Sequence, residues 1–261
     1  MLKKTFFYNK LSQRMLVLCL LILTAFTTPQ DHVTVYMIGD STMSIKEKKA
    51  YPETGWGMSF SIFFDKTVTI DNRAKNGRST KSFISEGLWQ PVADGMKTGD
   101  YLVIQFGHND EVNTKATYAT EDEFKANLTL FVNSAREKGA KPILLTPVAR
   151  RKFNASGNIE DTHSVYAQLV RDIAVKNNVP LIDLDKKSMD MLQKLGPEKS
   201  KLYFNYLQPG ENPNYPDGKS DDTHFSELGA RKIAELVLAE IRNVQPDLAA
   251  RILKSKSPEI K

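Results

Sequence analysis

Cysteine is all but missing from this 261-residue chain: Cys19 is the only one. It lies in an N-terminal apolar run, so residues 29–261 contain none. That body cannot use disulfides, a thiolate nucleophile or cysteine metal ligands. A lipid anchor on Cys19 is not expected either, because Leu18 stands where a small residue would be needed. Long hydrophobic runs are also wanting. The prominent one, Met15 to Phe26, is twelve residues, where a membrane-crossing helix needs roughly 20. Net charge is scarce once the N-terminus is set aside. The formal charge is +5, but Lys3, Lys4, Lys10 and Arg14 supply four of the 36 basic residues. The remaining 32 face 31 acids, a balance of about +1 that gives no electrostatic reason to expect a nucleic-acid partner. Neither G-x-G-x-x-G nor G-x-x-x-x-G-K-[ST] occurs, which argues against nucleotide binding. Nor does G-x-S-x-G, so the nucleophile elbow of the α/β-hydrolases is excluded. There is no linker rich in Gly, Ser or Pro, no internal repeat and no low-complexity tract. One domain follows.

What is present begins with a leader. Basic positions up to Arg14, the short apolar run and Thr27-Thr28-Pro29 have the layout of an export signal ending near residue 28. Residues 1–28 are read as that signal and 29–261 as the mature domain, periplasmic or secreted, with no membrane insertion. Export without disulfides suits a bacterial envelope or secreted enzyme, and a monomer is expected.

Val33 to Ile38 is a β-branched and apolar run ending abruptly in Gly39-Asp40-Ser41. Further strands are expected at 68–72, 101–106, 141–146 and 179–184. Helices are expected at 55–64, from near Ser79, at 121–137, 164–176 and 188–195, and at 226–241 behind a Ser226 cap. In that last helix Leu228, Ile233, Leu236 and Val237 are expected to face inward. Residues 207–223, rich in Pro, Gly, Asn and Asp, read as a loop. Strands alternating with helices imply a mainly parallel five-stranded sheet covered on both faces.

In such a sheet chemistry gathers beyond the carboxyl ends of the strands. Polar residues stand there at Gly39-Asp40-Ser41, at Asn76-Gly77 and at Gly107-His108-Asn109-Asp110, and a fourth group, Asp221-Asp222-Thr223-His224, precedes the last helix. Singly each is weak, since a serine after a strand is more often an N-cap than a nucleophile. Together they meet the needs of acyl transfer. A serine needs a histidine base, and the imidazole needs a carboxylate to orient it. Asp221 and His224, three apart in a segment read as irregular, are close enough for that. The oxyanion needs preorganised donors. The N–H of Ser41, at a helix N-terminus, the N–H of Gly77, where no side chain blocks approach, and the Asn109 amide could supply them.

These four blocks resemble, in order, those of the SGNH (GDSL-like) hydrolases, and they span positions 39 to 224. The resemblance implies a flavodoxin-like three-layer α/β/α sandwich and a catalytic domain over 29–261. It makes Ser41 the nucleophile, Asp221 and His224 the rest of the triad, and Ser41, Gly77 and Asn109 the oxyanion hole. Thr42-Met43 departs from the leucine expected after the serine, at what is read as a packing position. Gly39 to Met43, Ala74 to Phe83, and Leu145-Thr146-Pro147 followed by Arg150-Arg151 further resemble the rhamnogalacturonan acetylesterases, which remove O-acetyl groups from pectin without a cofactor or metal. On a polyuronate, Arg78, Arg150 or Arg151 could pair with carboxylates; the alternative for each is solvated surface. Trp56 and Trp89 could be sugar platforms, with core packing favoured. His108 is expected to support Asn109 rather than act as the base. Three rival readings stand beside this one. They are a lipase or thioesterase, an acetylxylan-type esterase, and a non-catalytic polysaccharide-binding protein on the same fold. A metal at Asp221, Asp222 and His224 is disfavoured, since neither His32 nor His163 has a spacing that would complete a zinc site.

Overall fold

The computed structural model describes residues 31–254. The expected signal segment 1–28 and Cys19 lie outside them. Among the described residues no helix is long and apolar enough to cross a membrane. Seven strands and eight α-helices follow in order from Val33, where one compact unit begins. They are β1 (Val33–Gly39), α1 (Trp56–Phe60), β2 (Val68–Asn72), α2 (Thr80–Ser85), α3 (Gln90–Gly95), β3 (Tyr101–Gln105), α4 (Glu121–Glu137), β4 (Lys141–Leu145), α5 (Ser164–Lys176), β5 (Leu181–Ile182), α6 (Leu184–Lys199), β6 (Phe204–Leu207), β7 (Lys219–Phe225), α7 (Glu227–Val244) and α8 (Pro246–Ala249).

Five strands form a parallel sheet in the order β2-β1-β3-β4-β5, the flavodoxin-like order. Alternation along β1 divides the core. Val33, Val35 and Met37 pack on one face with α1, α6 and α7, while Tyr36 and Ile38 pack on the other with α2 to α5. This is the expected sandwich. Chain order reverses between β1 and β3, so a crevice opens where their carboxyl ends part.

Local chemistry explains where the elements begin. The Ser79 hydroxyl accepts the Ser82 N–H at the start of α2, and Thr120 caps α4 in the same way through Glu123. Such caps contribute about 1 kcal/mol each. Several boundaries depart from expectation. β5 shrinks to two residues because Asp183 caps a longer α6 that begins at Leu184. The segment 55–64 holds a five-residue α-helix followed by a 3-10 turn over Ser61–Phe63. In α7 the buried stripe runs through Ala230, Ile233, Ala234, Val237, Leu238 and Ile241, leaving Leu228 46% exposed. The largest departure is the antiparallel pair β6–β7, which takes in the two ends of the expected loop 207–223 and leaves 208–218 as the loop between its strands. Its second strand, Lys-Ser-Asp-Asp-Thr-His-Phe, is polar on both faces and so lacks the period-2 signal of a half-buried strand.

Asp110, at the end of β3, is wholly buried. Its Oδ1 accepts the Thr80 N–H and hydroxyl at 2.8 and 2.6 Å, and its Oδ2 accepts the Gly107 N–H at 3.2 Å. It thereby ties the loop after β3 to the start of α2. Burial pushes its carboxyl up to about 7 against the Thr80 hydrogen bonds. In the unfolded chain it titrates near 4. A pKa raised on folding gives stability that is full below the unfolded value and is lost as pH rises through the folded one. Between about pH 4 and 7 Asp110 therefore makes the fold progressively less stable. We expect D110N to flatten the Tm–pH profile over that window; equal slopes for parent and variant would contradict it.

Candidate active site

Gly39 ends β1 opposite Gln105, and a Cβ there would lie 2.6 Å from the Gln105 carbonyl oxygen. Only glycine lets the strand end this close to its neighbour, and Asp40 then turns the chain. Its Oδ1 accepts the Thr42 N–H and hydroxyl at 2.9 and 2.7 Å, and its carbonyl accepts the Ser44 N–H at 3.1 Å. The result is a single turn that does not continue as a helix, which corrects the expected helix N-terminus at Ser41. The turn is braced from below. Gln105 donates to the Thr42 hydroxyl at 2.9 Å, and Trp56 Nε1 donates to Gln105 at 2.7 Å. Thr42 is thus a hydrogen-bonding position as well as a packed one.

Ser41 Oγ lies 2.9 Å from His224 Nε2, and His224 Nδ1 lies 2.9 Å from Asp221 Oδ2. The structure therefore brings together three residues separated by up to 183 positions. Burial pushes the Asp221 carboxyl up, but the His224 ring and the N–H groups of His224 and Thr223 outweigh it. They hold the carboxyl well below the usual carboxylate range. It is therefore an anion wherever the protein is folded near neutrality, as an imidazole orienter must be.

Asp221 and His224 do not sit in an irregular segment. Both are on β7, where residues three apart would face opposite sides of a regular strand. Two features overcome this. Phe204 pairs with Phe225 and Tyr206 with Ser220, so a step of two residues on β6 spans five on β7, a bulge. Within it, Asp221 Oδ1 accepts the Thr223 and His224 N–H groups at 2.8 and 2.9 Å. That turns the chain until the ring meets the carboxylate.

The bulge is held from behind by two of the expected substrate contacts. Arg151 is only 9% exposed, and its guanidinium donates to Asp222 at 2.6 Å, to Ser200 Oγ, to Tyr206 and to the Pro197 carbonyl. With four of its five N–H donors engaged and its side chain buried, Arg151 braces the bulge, where a sugar contact was expected. Arg150 donates to Thr223 Oγ1 at 3.0 Å, and to the His108 carbonyl and Glu111 at 3.2 Å. It joins the end of β3 to the bulge. Arg78 is the most open of the three and pairs with Glu86 at 2.8 Å.

Gly77 has φ +74°, and a Cβ on it would meet nothing within 4 Å. Glycine is needed there for the left-handed backbone, not to clear space. Asn109 is 6% exposed and donates from Nδ2 to the Arg78 carbonyl at 3.0 Å. This aligns the amide beside the Gly77 turn and leaves its second N–H. Buried His108 stacks edge-on against His163 at 4.3 Å, and burial lowers its pKa well below the usual histidine value. It touches neither Ser41 nor Asp221. Trp56 and Trp89 are buried, Trp89 packing at a tilt against Phe131 with ring centroids 4.7 Å apart. Neither can be a sugar platform.

Sequence reasoning passed over Lys46 and Glu53, in a stretch that reads as a polar loop. Glu53, Asp221 and His224 have potential ligand atoms within 4.8 Å of one another. This is a different set from the one weighed above, because Asp222 points to Arg151 instead. Lys46 Nζ sits 2.7 Å from Glu53 and is the cation with which that carboxylate pairs. No pattern in the sequence marks either residue.

The arrangement suits acyl transfer through a hydroxyl nucleophile, and known proteins agree with it. A GDSL-like lipase/acylhydrolase family model matches residues 37–232. The chain is 43% identical over 229 residues to the rhamnogalacturonan acetylesterase RhgT of Bacillus subtilis, covering 87% of this chain and 97% of that one. It is 46% identical to a rhamnogalacturonan acetylesterase of Emericella nidulans, covering 80% and 84%. The crystal structure of Bacillus subtilis YxiM superposes with a TM-score of 0.70 at 27% identity, over 83% of this chain but only 58% of that one. The acetylxylan esterase Axe2 of Geobacillus stearothermophilus, at 18% identity and a TM-score of 0.58, shares the fold. With its sequence matched across most of its length and its blocks converging on one crevice, the chain belongs to the GDSL-like lipase/acylhydrolase family.

Proposed function

We propose that this protein is a serine carbohydrate esterase that removes O-acetyl groups from pectic polysaccharide, rhamnogalacturonan above all, and that it acts after export. The observation that carries the chemistry is the relay from Ser41 Oγ through His224 to Asp221, with both contacts at 2.9 Å. The substrate class is supported by the two named rhamnogalacturonan acetylesterases, which the chain matches over most of their length.

In this reading Ser41 Oγ attacks the acetyl carbonyl while His224 Nε2 takes its proton, and Asp221 steadies the imidazolium. The N–H groups of Ser41 and Gly77 and the Asn109 amide receive the oxyanion. His224 returns the proton to the departing sugar oxygen. Water then attacks the acetyl-enzyme with His224 again as base, releasing acetate. Arg78, half-buried beside Gly77, is the cation placed to meet a galacturonate carboxylate.

Acetate release from acetylated rhamnogalacturonan, homogalacturonan and xylan tests the substrate. Rhamnogalacturonan is expected to lead by about tenfold or more in kcat/KM, a difference of ~1.4 kcal/mol in transition-state binding. Equal rates on all three would overturn the pectin assignment. A preference for octanoyl over acetyl p-nitrophenyl esters would move the protein to the lipase or thioesterase reading.

A further inference from the structure

Lys46 is a lysine whose side chain is fully buried beside the candidate nucleophile. An ammonium has three donors and no acceptor, and all three are engaged. One goes to Glu53 Oε1 at 2.7 Å, one to Asn76 Oδ1 at 2.9 Å and one to the Ser41 carbonyl oxygen. Burying a lone ammonium is costly, yet the Glu53 carboxylate alone could have compensated this one. The other two bonds go to the two turns that carry the oxyanion donors. Ser41 carries one N–H itself, and Asn76 immediately precedes Gly77. Ser44 Oγ reinforces the same junction by bonding Asn76 Oδ1.

Those turns come from different strands, β1 and β2, and the sheet ladder between the strands ends at Met37 and Asn72. Beyond it the Lys75 N–H still reaches the Gly39 carbonyl at 2.9 Å. Past that point, a side-chain cross-link fixes the separation between the Ser41 and Gly77 N–H groups. We propose that Lys46 is a positioning residue for ester hydrolysis, holding the Ser41 and Gly77 turns at one spacing so that both N–H groups converge on the developing oxyanion. The inference rests on the reading of Ser41 as nucleophile.

Preorganised oxyanion donors lower the transition state and leave ground-state binding nearly unchanged. K46M keeps the length of the stem and removes the ammonium. Its kcat for p-nitrophenyl acetate is expected to fall about 10- to 100-fold, with KM within about twofold of the parent. A merely structural lysine would serve only to neutralise Glu53, and a double replacement separates the two roles. K46M/E53Q has no buried charge left unpaired, so it should regain the Tm that K46M loses while its kcat stays as low as that of K46M. N76A leaves the Lys46–Glu53 pair intact and cuts the Lys46 and Ser44 bonds that reach the Gly77 turn. Its kcat should fall about tenfold with Tm nearly unchanged.

The proposal is overturned if K46M/E53Q regains kcat together with Tm, or if N76A keeps the parent kcat. Because N76A alters a solvent-facing turn, it decides the matter even where K46M does not fold. Parent and S41A run in the same assay report on the nucleophile separately. An active S41A would remove the underlying reading, whereas a dead S41A beside a fully active N76A would remove only the role of Lys46.

Discussion

S41A is expected to lower the kcat for p-nitrophenyl acetate by about 10⁴- to 10⁶-fold, the range seen when a triad serine is removed elsewhere. The substitution is clean because it deletes one atom with one described partner. Ser41 Oγ is bonded to His224 Nε2, while the turn around it is held by Asp40, Thr42 and Lys46 through backbone and neighbouring side chains. The Ser41 N–H survives in alanine, so the oxyanion donor stays and a residual rate above that in water remains. Tm should move little, since a half-exposed hydroxyl away from the core contributes roughly 0.5 kcal/mol or less. Measuring kcat alongside Tm separates loss of chemistry from loss of fold. A variant within tenfold of the parent rate would take the nucleophile away from Ser41.

The parts of this site that were legible in the sequence are those where one local rule decides the structure. Val33 to Gly39 could be read as a strand because burial on both faces makes it continuously apolar. Ser226 could be read as a cap because a serine before an apolar helical stripe has a specific donor to satisfy. Ser41, Gly77 and Asn109 stand at strand ends, where a parallel sheet collects its chemistry. The hairpin β6–β7 was not legible. Its second strand is polar up to its last residue, and what makes it a strand is the pairing of that residue, Phe225, with Phe204, a long-range fact. The hydrogen bonds of the arginines were not legible for a related reason. Sequence shows that Arg150 and Arg151 carry charge, but only the fold shows that Asp222, Thr223 and Glu111 lie within their reach. Lys46 is the extreme case, a lysine among polar residues whose burial no local pattern announces.

These failures share a cause that bears on how the site works. The sheet supplies Ser41, Gly77 and Asn109 as three ends of one rigid ladder. Asp221 and His224 come from a bulge in a separate two-stranded sheet. Bringing His224 to Ser41 across that divide needs cross-links, and the chain uses charged side chains for them. Arg150 ties the end of β3 to Thr223, Arg151 ties Asp222 to Ser200 and Tyr206, and Lys46 ties Ser41 to Asn76 and Glu53. Each such group sits between elements far apart in sequence, where prediction from local pattern is weakest.

The bulge leads to the second large effect. D221N is expected to lower kcat by about 10⁴-fold although it is nearly isosteric, the size of loss found in a serine protease whose triad aspartate becomes asparagine. The cause lies in which oxygen does what. Asp221 Oδ1 accepts two backbone N–H groups at 2.8 and 2.9 Å, and Oδ2 accepts the ring Nδ1–H. An asparagine must choose which side receives its oxygen. Turning the amide nitrogen toward the backbone would set a donor against two donors and leave both unsatisfied, at about 1–3 kcal/mol for each. The oxygen therefore stays with the backbone, and the amide nitrogen faces Nδ1. Nδ1 must then be the unprotonated acceptor, which puts the ring proton on Nε2, facing Ser41 Oγ. A ring that already carries a proton there cannot take the serine's. Chemical shifts of the His224 ring nitrogens in parent and D221N at neutral pH would report the exchange of tautomer directly. If D221N kept a rate within tenfold of the parent, the ring would have to be oriented by another carboxylate, and Glu53 is the one within reach.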